Sequence, residues 1–207
     1  MDELIWISTA PGHASNMRWL RHDVAERGRD AFQPILDRIK TGQPLGLDDF
    51  PKMIYGAPEA GEKDYRLPDL FYGYGYWVVS KAASDVLVQF DLGDNALVPV
   101  GVFRKDRTTP VGEGWLCLNL GNTKDALLPA ESPRMMNGYI RDGQKGWRPP
   151  FVTKDGDIAV SRSALAGRDL WIDLQAGDSI FLSGPLGRAL RKGKADKGWF
   201  LSKCRVL

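Results

Sequence analysis

One arrangement of residues occurs twice in this chain of 207 residues: a short apolar strand, a serine, an amphipathic helix and a glycine. It runs from Val78 to Gly93 and again from Ile180 to Gly193. A serine at the start of a helix accepts a hydrogen bond from a backbone N–H of the first turn, and a glycine after the last turn lets the chain leave the helix. The pattern therefore predicts two helices packed on strands, with Ser80 and Ser183 as caps rather than nucleophiles.

Apolar runs around these two units predict a sheet. Residues 4–8 read as a first strand, and residues 31–40 place apolar side chains at helical spacing, with Gly42 ending the helix. Pro34 fits that helix only in its first turn, because proline has no N–H to donate. Further strands are predicted in ALVPVGVF, GWLCLNL, DIAVS, RDLWIDL, SIFLS and WFLSKCRVL, the first two joined as a hairpin. The chain is thus predicted to be α+β, a single domain with a mostly antiparallel sheet and two or three packed helices.

Two segments lack a clear periodic pattern. Residues 56–66, GAPEAGEKDYR, are rich in turn formers and charge, which predicts an exposed loop. This loop separates an N-terminal strand and helix portion, residues 1–66, from residues 67–207, although both belong to the same unit. Residues 121–157 are irregular over a length that is unusual inside a compact domain, so they carry function, contain short secondary structure or are disordered.

Composition and charge exclude several classes of protein. The net charge of +2 gives no strong field toward nucleic acid or an anionic membrane, and the chain is not an acidic mimic of nucleic acid. The start of the sequence, MDELIWISTAPG, does not resemble a signal peptide, and no apolar run approaches the roughly 20 residues of a membrane span. The sequence therefore predicts a soluble, cytoplasmic protein. Cys117 and Cys204 lack the spacing of a metal or redox site and are expected to be buried free thiols.

The pair Gly73-x-Gly75 raises the question of a phosphate-binding loop. A dinucleotide fingerprint requires G-x-G-x-x-G after a strand and at the start of a helix, so that backbone N–H groups face the pyrophosphate. Here Val78 occupies the third glycine position and the glycines precede the strand. The sequence therefore predicts no nucleotide cofactor.

No other group of residues predicts catalysis. The two histidines, His13 and His22, lie far in sequence from every candidate nucleophile, and neither serine lies in a G-x-S-x-G elbow. On one strand, Asp169 and Asp173 would have Cα atoms about 13 Å apart, too far for a glycosidase pair unless the side chains lean together. We therefore predict no enzymatic activity, no cofactor and no metal site.

Aromatic residues offer an alternative route to function through binding. In an extended strand, Tyr72, Tyr74 and Tyr76 share one face, and tyrosine is common in protein recognition surfaces. Trp171 lies between Asp169 and Asp173 in sequence, and if its side chain is exposed it joins the tyrosines as a candidate binding residue. These four residues are the predicted binding residues. In the other interpretation, the strand is half-buried and its tyrosines pack against a neighbouring loop.

Seven stretches, in order, resemble the eleventh immunity-protein family of bacterial polymorphic toxin systems, formerly a domain of unknown function. They cover about Leu67 to Leu207. They are LPDLF, GYWVVSKAASDVLVQFDLG, LVPV, LNLGN, DLWID, IFLSGPLGRAL and FLSKCRVL.

The resemblance implies a cytoplasmic bacterial protein that binds and neutralises a partner toxin. The near-balanced charge and the absence of a long apolar run predict no membrane and no specific nucleic acid among its partners. The family has no agreed catalytic residues, so it assigns none here. An alternative is a carbohydrate- or nucleic-acid-associated enzyme or binding domain that uses Asp169, Trp171, Asp173 and the basic stretch RALRKGKADKG. A third is a scaffold domain without a toxin partner. Convergence of the aspartates and the tryptophan in one pocket would favour the second.

Overall fold

The computed structural model describes residues 3–18, 20–57, 66–141, 144–177 and 179–207. Its α-helices are α1 (Arg29–Lys40), α2 (Lys81–Leu87) and α3 (Gly184–Lys192). Its strands are β1 (Ile5–Ser8), β2 (Met17–Arg18), β3 (Arg21–His22), β4 (Met53–Ala57), β5 (Leu70–Gly73), β6 (Tyr76–Val79), β7 (Ala96–Pro99), β8 (Gly101–Arg104), β9 (Leu116–Asn119), β10 (Met136–Arg141), β11 (Gln144–Arg148), β12 (Ala159–Val160), β13 (Leu170–Ile172), β14 (Ile180–Ser183), β15 (Leu201–Lys203) and β16 (Arg205–Val206). Within these ranges, none of the helices has the length and apolar character needed to cross a bilayer.

Two sheets form the centre of the fold. One has four antiparallel strands in the order β13-β14-β1-β15, so the first strand lies between two strands from the end of the chain. The other has five strands in the order β2-β5-β6-β9-β7, and a three-stranded sheet, β3-β4-β8, lies beside it. Most strand pairs are antiparallel; the parallel ones are β2 with β5, β4 with β8, and β12 with β16. The predicted α+β class with a mostly antiparallel arrangement is confirmed.

The two larger sheets are covered on both faces. The first core lies between them with α2 and α3, and includes Trp6, Trp77 and Leu186. On the far side of the five-stranded sheet, the second core packs α1 against residues such as Tyr76. On the far side of the four-stranded sheet, the third core contains Trp171. Successive residues of one strand therefore enter different cores, which is why these strands read as continuous apolar runs.

The predicted helix caps are confirmed. The Ser80 hydroxyl accepts a hydrogen bond from the Ala83 N–H at 3.1 Å and donates one to Asp69 Oδ1 at 2.7 Å. The Ser183 hydroxyl accepts from the Leu186 N–H at 3.3 Å. Helix α2 ends at Leu87, earlier than the glycine that was predicted to end it. Both hydroxyl oxygens therefore satisfy backbone donors that the first helical turn leaves without an intrahelical partner.

Two predictions about the first half of the chain were wrong. Helix α1 begins at Arg29, so Pro34 lies in its second turn, where the carbonyl of Asp30 loses its helical partner. The run ALVPVGVF forms two strands rather than one. Its first half, β7, pairs with β9 as the predicted hairpin requires, whereas β8 pairs with β4 in another sheet. The chain changes sheets at Val100, between the two strands.

The irregular segments are partly described. Within residues 121–157, a 3-10 turn at Pro129–Glu131 and the ribbon of β10 and β11 supply short secondary structure. Of the predicted loop at residues 56–66, the first two residues belong to β4 and residues 58–65 lie outside the described residues. The four-stranded sheet takes β1 from the N-terminal portion and its other strands from the C-terminal third.

Helix α3 approaches β1 closely because residue 187 has no side chain. A Cβ atom built on Gly187 would lie 2.2 Å from Trp6 Cδ1. The Trp6 indole N–H also donates to the carbonyl of Gly184 at 3.3 Å. The first residues of α3 and the middle of β1 therefore fit only with glycine at this position.

We expect Gly187→Ala to destabilise the protein by about 2 kcal/mol. The free-energy cost of overpacking the new methyl group against the indole exceeds the roughly 1 kcal/mol by which alanine is preferred to glycine inside a helix. Urea unfolding followed by circular dichroism measures the change. The control is Lys192→Ala, an exposed site in the same helix, with an expected change below about 0.5 kcal/mol. A stabilised Gly187→Ala variant would contradict the packing argument.

Candidate functional site

The stretch that carries Tyr72, Tyr74 and Tyr76 is a β-hairpin, and the prediction of one strand with a shared tyrosine face was wrong. β5 ends at Gly73 and β6 begins at Tyr76, and Tyr72 pairs with Trp77 across the hairpin. Tyr74 and Gly75 form the turn with φ angles of 45° and 115°. A Cβ on Gly75 would lie 2.7 Å from Leu36 and Phe32, so only glycine lets the turn pack on α1.

The three tyrosines have different environments. The Tyr74 side chain is 56% exposed at the turn, and Tyr72 is half-buried. Tyr76 is only 2% exposed, and its hydroxyl donates to the carbonyl of Asp49. Burial raises the pKa of Tyr76, which keeps its hydroxyl protonated. The alternative interpretation, in which the tyrosines pack within the fold, therefore describes Tyr76.

A buried histidine holds this turn in place. The His22 Nδ1 atom accepts the Ala25 N–H at 3.0 Å, so Nε2 carries the proton and donates to the Tyr74 carbonyl at 3.0 Å. The ring also makes edge contacts with Phe32 and Tyr76. Burial lowers the pKa of His22, although the bond to the Tyr74 carbonyl opposes this. No local sequence signal indicates the role, since His22 and Tyr74 are far apart in the chain.

Trp171 is fully buried, so the exposure that would make it a binding residue is absent. Its ring stacks on Phe181 in the third core, with 5.9 Å between centroids. On the ring lies Lys124, whose Nζ is 3.6 Å from the centroid. The same ammonium donates to three carbonyl groups, those of Ala164, Ala166 and Arg168. Strand β13 therefore has no solvent-facing side at Trp171.

The neighbouring aspartates, Asp169 and Asp173, accept hydrogen bonds from backbone N–H groups. Asp173 is 3% exposed and accepts hydrogen bonds from the N–H groups of Ala126 and Leu127, each at 2.8 Å, and of Gln175 at 3.0 Å. Burial raises its pKa, and the three N–H donors act in the opposite direction. Asp169 accepts from the Asp91 N–H at 2.8 Å. With Trp171 in the core, these groups do not converge in one open pocket, which removes the observation that would favour a carbohydrate or nucleic-acid site.

The remaining candidate groups are also accounted for. Cys117 and Cys204 are buried free thiols, as predicted, and burial raises the pKa of both. His13 stacks on Phe200 with 3.7 Å between ring centroids. In the part of the chain that the structure describes, no group of three or more acidic, histidine or cysteine side chains has the geometry to hold a metal ion.

Three depressions that share lining residues form a continuous concave surface, here called the apolar groove. The first, of about 210 Å³, opens beside both large sheets, and Tyr72 lines it. The second, of about 190 Å³, shares Pro11, Gly177 and Ser179 with the first. The third, of about 420 Å³, shares Thr9, His13 and Phe151 with the second. The segment from Thr9 to His13, which follows β1, therefore runs along the groove.

Exposed apolar side chains collect along this groove. Ten large hydrophobic side chains are exposed among the described residues, and six of them line it. The six are Met17, Met136, Phe151, Val152, Leu174 and Phe200. Scattered exposed hydrophobic residues are ordinary, but a contiguous set beside concave surfaces is typical of an interaction site.

Comparison with known families identifies the chain. The model of the immunity protein family Imm11 matches residues 8–205. The chain belongs to this family. A search of curated proteins found no match. The match of this Imm11 protein begins within β1, well before residue 67, where the resemblance seen in the sequence begins.

Membership in Imm11 assigns a general role. Proteins of an immunity family neutralise toxins, and such families are generally non-catalytic. The geometry of this Imm11 protein fits that role, since Ser80, Ser183 and Asp173 all act as acceptors for backbone donors. Among the described residues, the apolar groove and the hairpin turn at Tyr74 present exposed apolar or aromatic side chains.

The buried His22 ring predicts a loss of stability in acid. Its pKa is lowered in the folded state, so the unfolded chain binds the proton more readily as the pH falls below about 6.5, and stability decreases by up to about 1.4 kcal/mol per pH unit. Urea midpoints at pH 7.5, 6.0 and 5.0 measure the effect. Substitution His22→Asn should lower stability at pH 7.5 and flatten the pH dependence.

The control for this experiment is His13→Gln, because burial lowers the pKa of His13 as well but this ring is only partly buried, whereas His22 is fully buried. This variant should keep most of the acid sensitivity of the natural protein. A flattened profile in His13→Gln, with an unchanged profile in His22→Asn, would contradict the assignment to His22.

Proposed function

We propose that this protein neutralises a cognate bacterial toxin by binding it directly, in the cytoplasm of the cell that makes both proteins, without turning over a substrate. The observation that carries the proposal is the match to an immunity protein family over residues 8–205. The exposed apolar side chains along the groove support it, since they offer a surface that a partner protein would bury.

The placement of the polar side chains supports inhibition by contact rather than by catalysis. A nucleophile or general base needs a free side chain beside a space for substrate. The Ser80 and Ser183 hydroxyls cap helices, both ring nitrogens of His22 are hydrogen-bonded, and Asp173 accepts three backbone donors. These groups hold the fold, and the surface remains available for recognition.

The interface is of ordinary size, roughly 800 Å² per partner. Tyr72 and Tyr74 contribute to it, because both retain exposed surface and tyrosine provides a large contact area with few rotatable bonds. Tyr76 and Trp171 contribute indirectly, by fixing the hairpin and the third core from within.

Titration against the toxin tests this proposal. The probe is the product of the open reading frame that adjoins the gene of this protein, tested as the candidate toxin and purified alone and together with it. Direct binding predicts a complex on size-exclusion chromatography and toxin inhibition that is complete near one equivalent. Inhibition at a small fraction of one equivalent would indicate turnover, and the absence of a complex would contradict the proposal.

The tyrosines provide a separate test of the interface. We expect Tyr72→Ala and Tyr74→Ala to weaken toxin binding by about 1 kcal/mol or more each, while the Tm changes little for the exposed Tyr74. Tyr76→Ala is the comparison variant and should lose about 3–5 kcal/mol of folding stability, because it removes a buried ring. Calorimetry measures binding, and thermal unfolding measures stability. Full toxin affinity in the double variant of Tyr72 and Tyr74 would remove both residues from the interface.

A further inference from the structure

We propose that the toxin docks in the apolar groove through an extended apolar segment flanked by carboxylates. This inference rests on the proposed function, that the toxin is bound directly. It adds the surface that is used and the chemistry of the segment that occupies it.

The most exposed apolar side chains of the groove lie in the loop after β11. Phe151 is 74% exposed and Val152 is 67% exposed, although both are large hydrophobic residues next to one another in sequence. Phe151 lines two of the three depressions, and Met136 lines the same middle depression. Adjacent apolar side chains that point to solvent at the edge of a concave surface are suited to anchor a partner.

The loop that presents these side chains is already ordered. Pro149 and Pro150 fix two backbone φ angles immediately before Phe151. The Thr153 hydroxyl donates to the Pro150 carbonyl at 3.0 Å, and the Ser202 hydroxyl of β15 donates to the Thr153 carbonyl at 2.9 Å. Because the loop is already held by these bonds, it loses little conformational entropy when a partner binds, which favours tight binding.

The shape of the groove suits an extended segment. Its three depressions are joined in sequence by shared lining residues, so a chain laid along the groove would place separate side chains in successive depressions. Recognition of this kind takes its specificity from pockets that receive alternate side chains of an extended peptide.

The charged residues that line the groove indicate which charges the partner segment carries beside its apolar residues. The cations that line it are Lys40, Arg148 and Arg191, and the carboxylates are Asp173 and Asp196. Asp173 is saturated by three backbone donors, and Asp196 lies 3.8 Å from Arg191. The charges of Arg191 and Asp196 offset each other. The exposed guanidinium of Arg148, in the middle depression, faces a partner, and carboxylates beside the apolar residues of the partner complement it.

Charge also disfavours a second copy of this chain as the occupant. A two-fold dimer through the groove would bring the same surface of both subunits together. The exposed guanidinium of Arg148, in the middle depression, would then face the cations of the other subunit. An acidic partner meets no such repulsion.

Two substitutions and one control test the inference. Phe151→Ser removes the most exposed apolar side chain of the groove, and Arg148→Glu reverses the charge at its middle. Both residues are exposed, so both variants should fold normally. Circular dichroism and urea unfolding verify this. Val88→Ser is the matched control, because Val88 is 64% exposed and does not line the groove. Binding to the product of the adjoining open reading frame, the candidate toxin, is measured by calorimetry or surface plasmon resonance.

We expect roughly tenfold or greater loss of affinity for Phe151→Ser. Arg148→Glu should lower the association rate by a similar factor at low salt, and this effect should shrink as salt is added. Val88→Ser should stay within about twofold of the unsubstituted protein. This combination would support both the groove and the acidic segment.

Other outcomes are distinguishable. If the unsubstituted protein does not bind the toxin, the proposed function itself fails, and this inference fails with it. If it binds, and Phe151→Ser and Arg148→Glu bind equally well, the groove is overturned while the proposed function stands. Loss of affinity in Phe151→Ser alone overturns the acidic segment. Self-association of the protein that Phe151→Ser abolishes would assign the groove to a second copy and overturn the inference.

Discussion

The contact between Trp6 and helix α3 is the constraint on which the rest of the structure depends. Trp6 lies in β1, between β14 and β15, and its indole packs where Gly187 leaves room for it. The Arg191 guanidinium carbon lies 4.4 Å from the centroid of the ring, so the helix covers the indole along its length. One side chain thereby fixes the sheet, the helix and the first core relative to one another, and the segment that lines the apolar groove follows directly after its strand.

Local signals in the sequence predicted the parts of the fold that local physics determines. The caps at Ser80 and Ser183 needed only a side-chain oxygen before an amphipathic run, and both are present. The hairpin was missed because its turn has Tyr74 at the first position of positive φ, where asparagine, aspartate or glycine would have marked it. Pro34 was misplaced because the start of α1 carries no side-chain cap that would show where the helix begins.

The candidate site was less predictable, because its residues come from distant parts of the chain. Alternation along a strand assigns faces correctly only when one face meets solvent, and Trp171 lies in a strand whose two faces both meet a core. Phe151 lies in the irregular segment for which a functional role was one of the alternatives, yet no periodicity distinguishes an exposed phenylalanine from a buried one. Exposure of this kind follows only from the packing of the whole chain.

The position of β1 also determines when the four-stranded sheet can form. Its partners, residues 180–183 and 201–203, are synthesised long after β1, so the strand has no neighbours in its sheet until the ribosome has added them. The four-stranded sheet, and the segment of the apolar groove that follows β1, therefore reach their final positions only after residue 203 has been added. A translation product that stops before residue 180 would leave β1 without either partner and would lack this sheet.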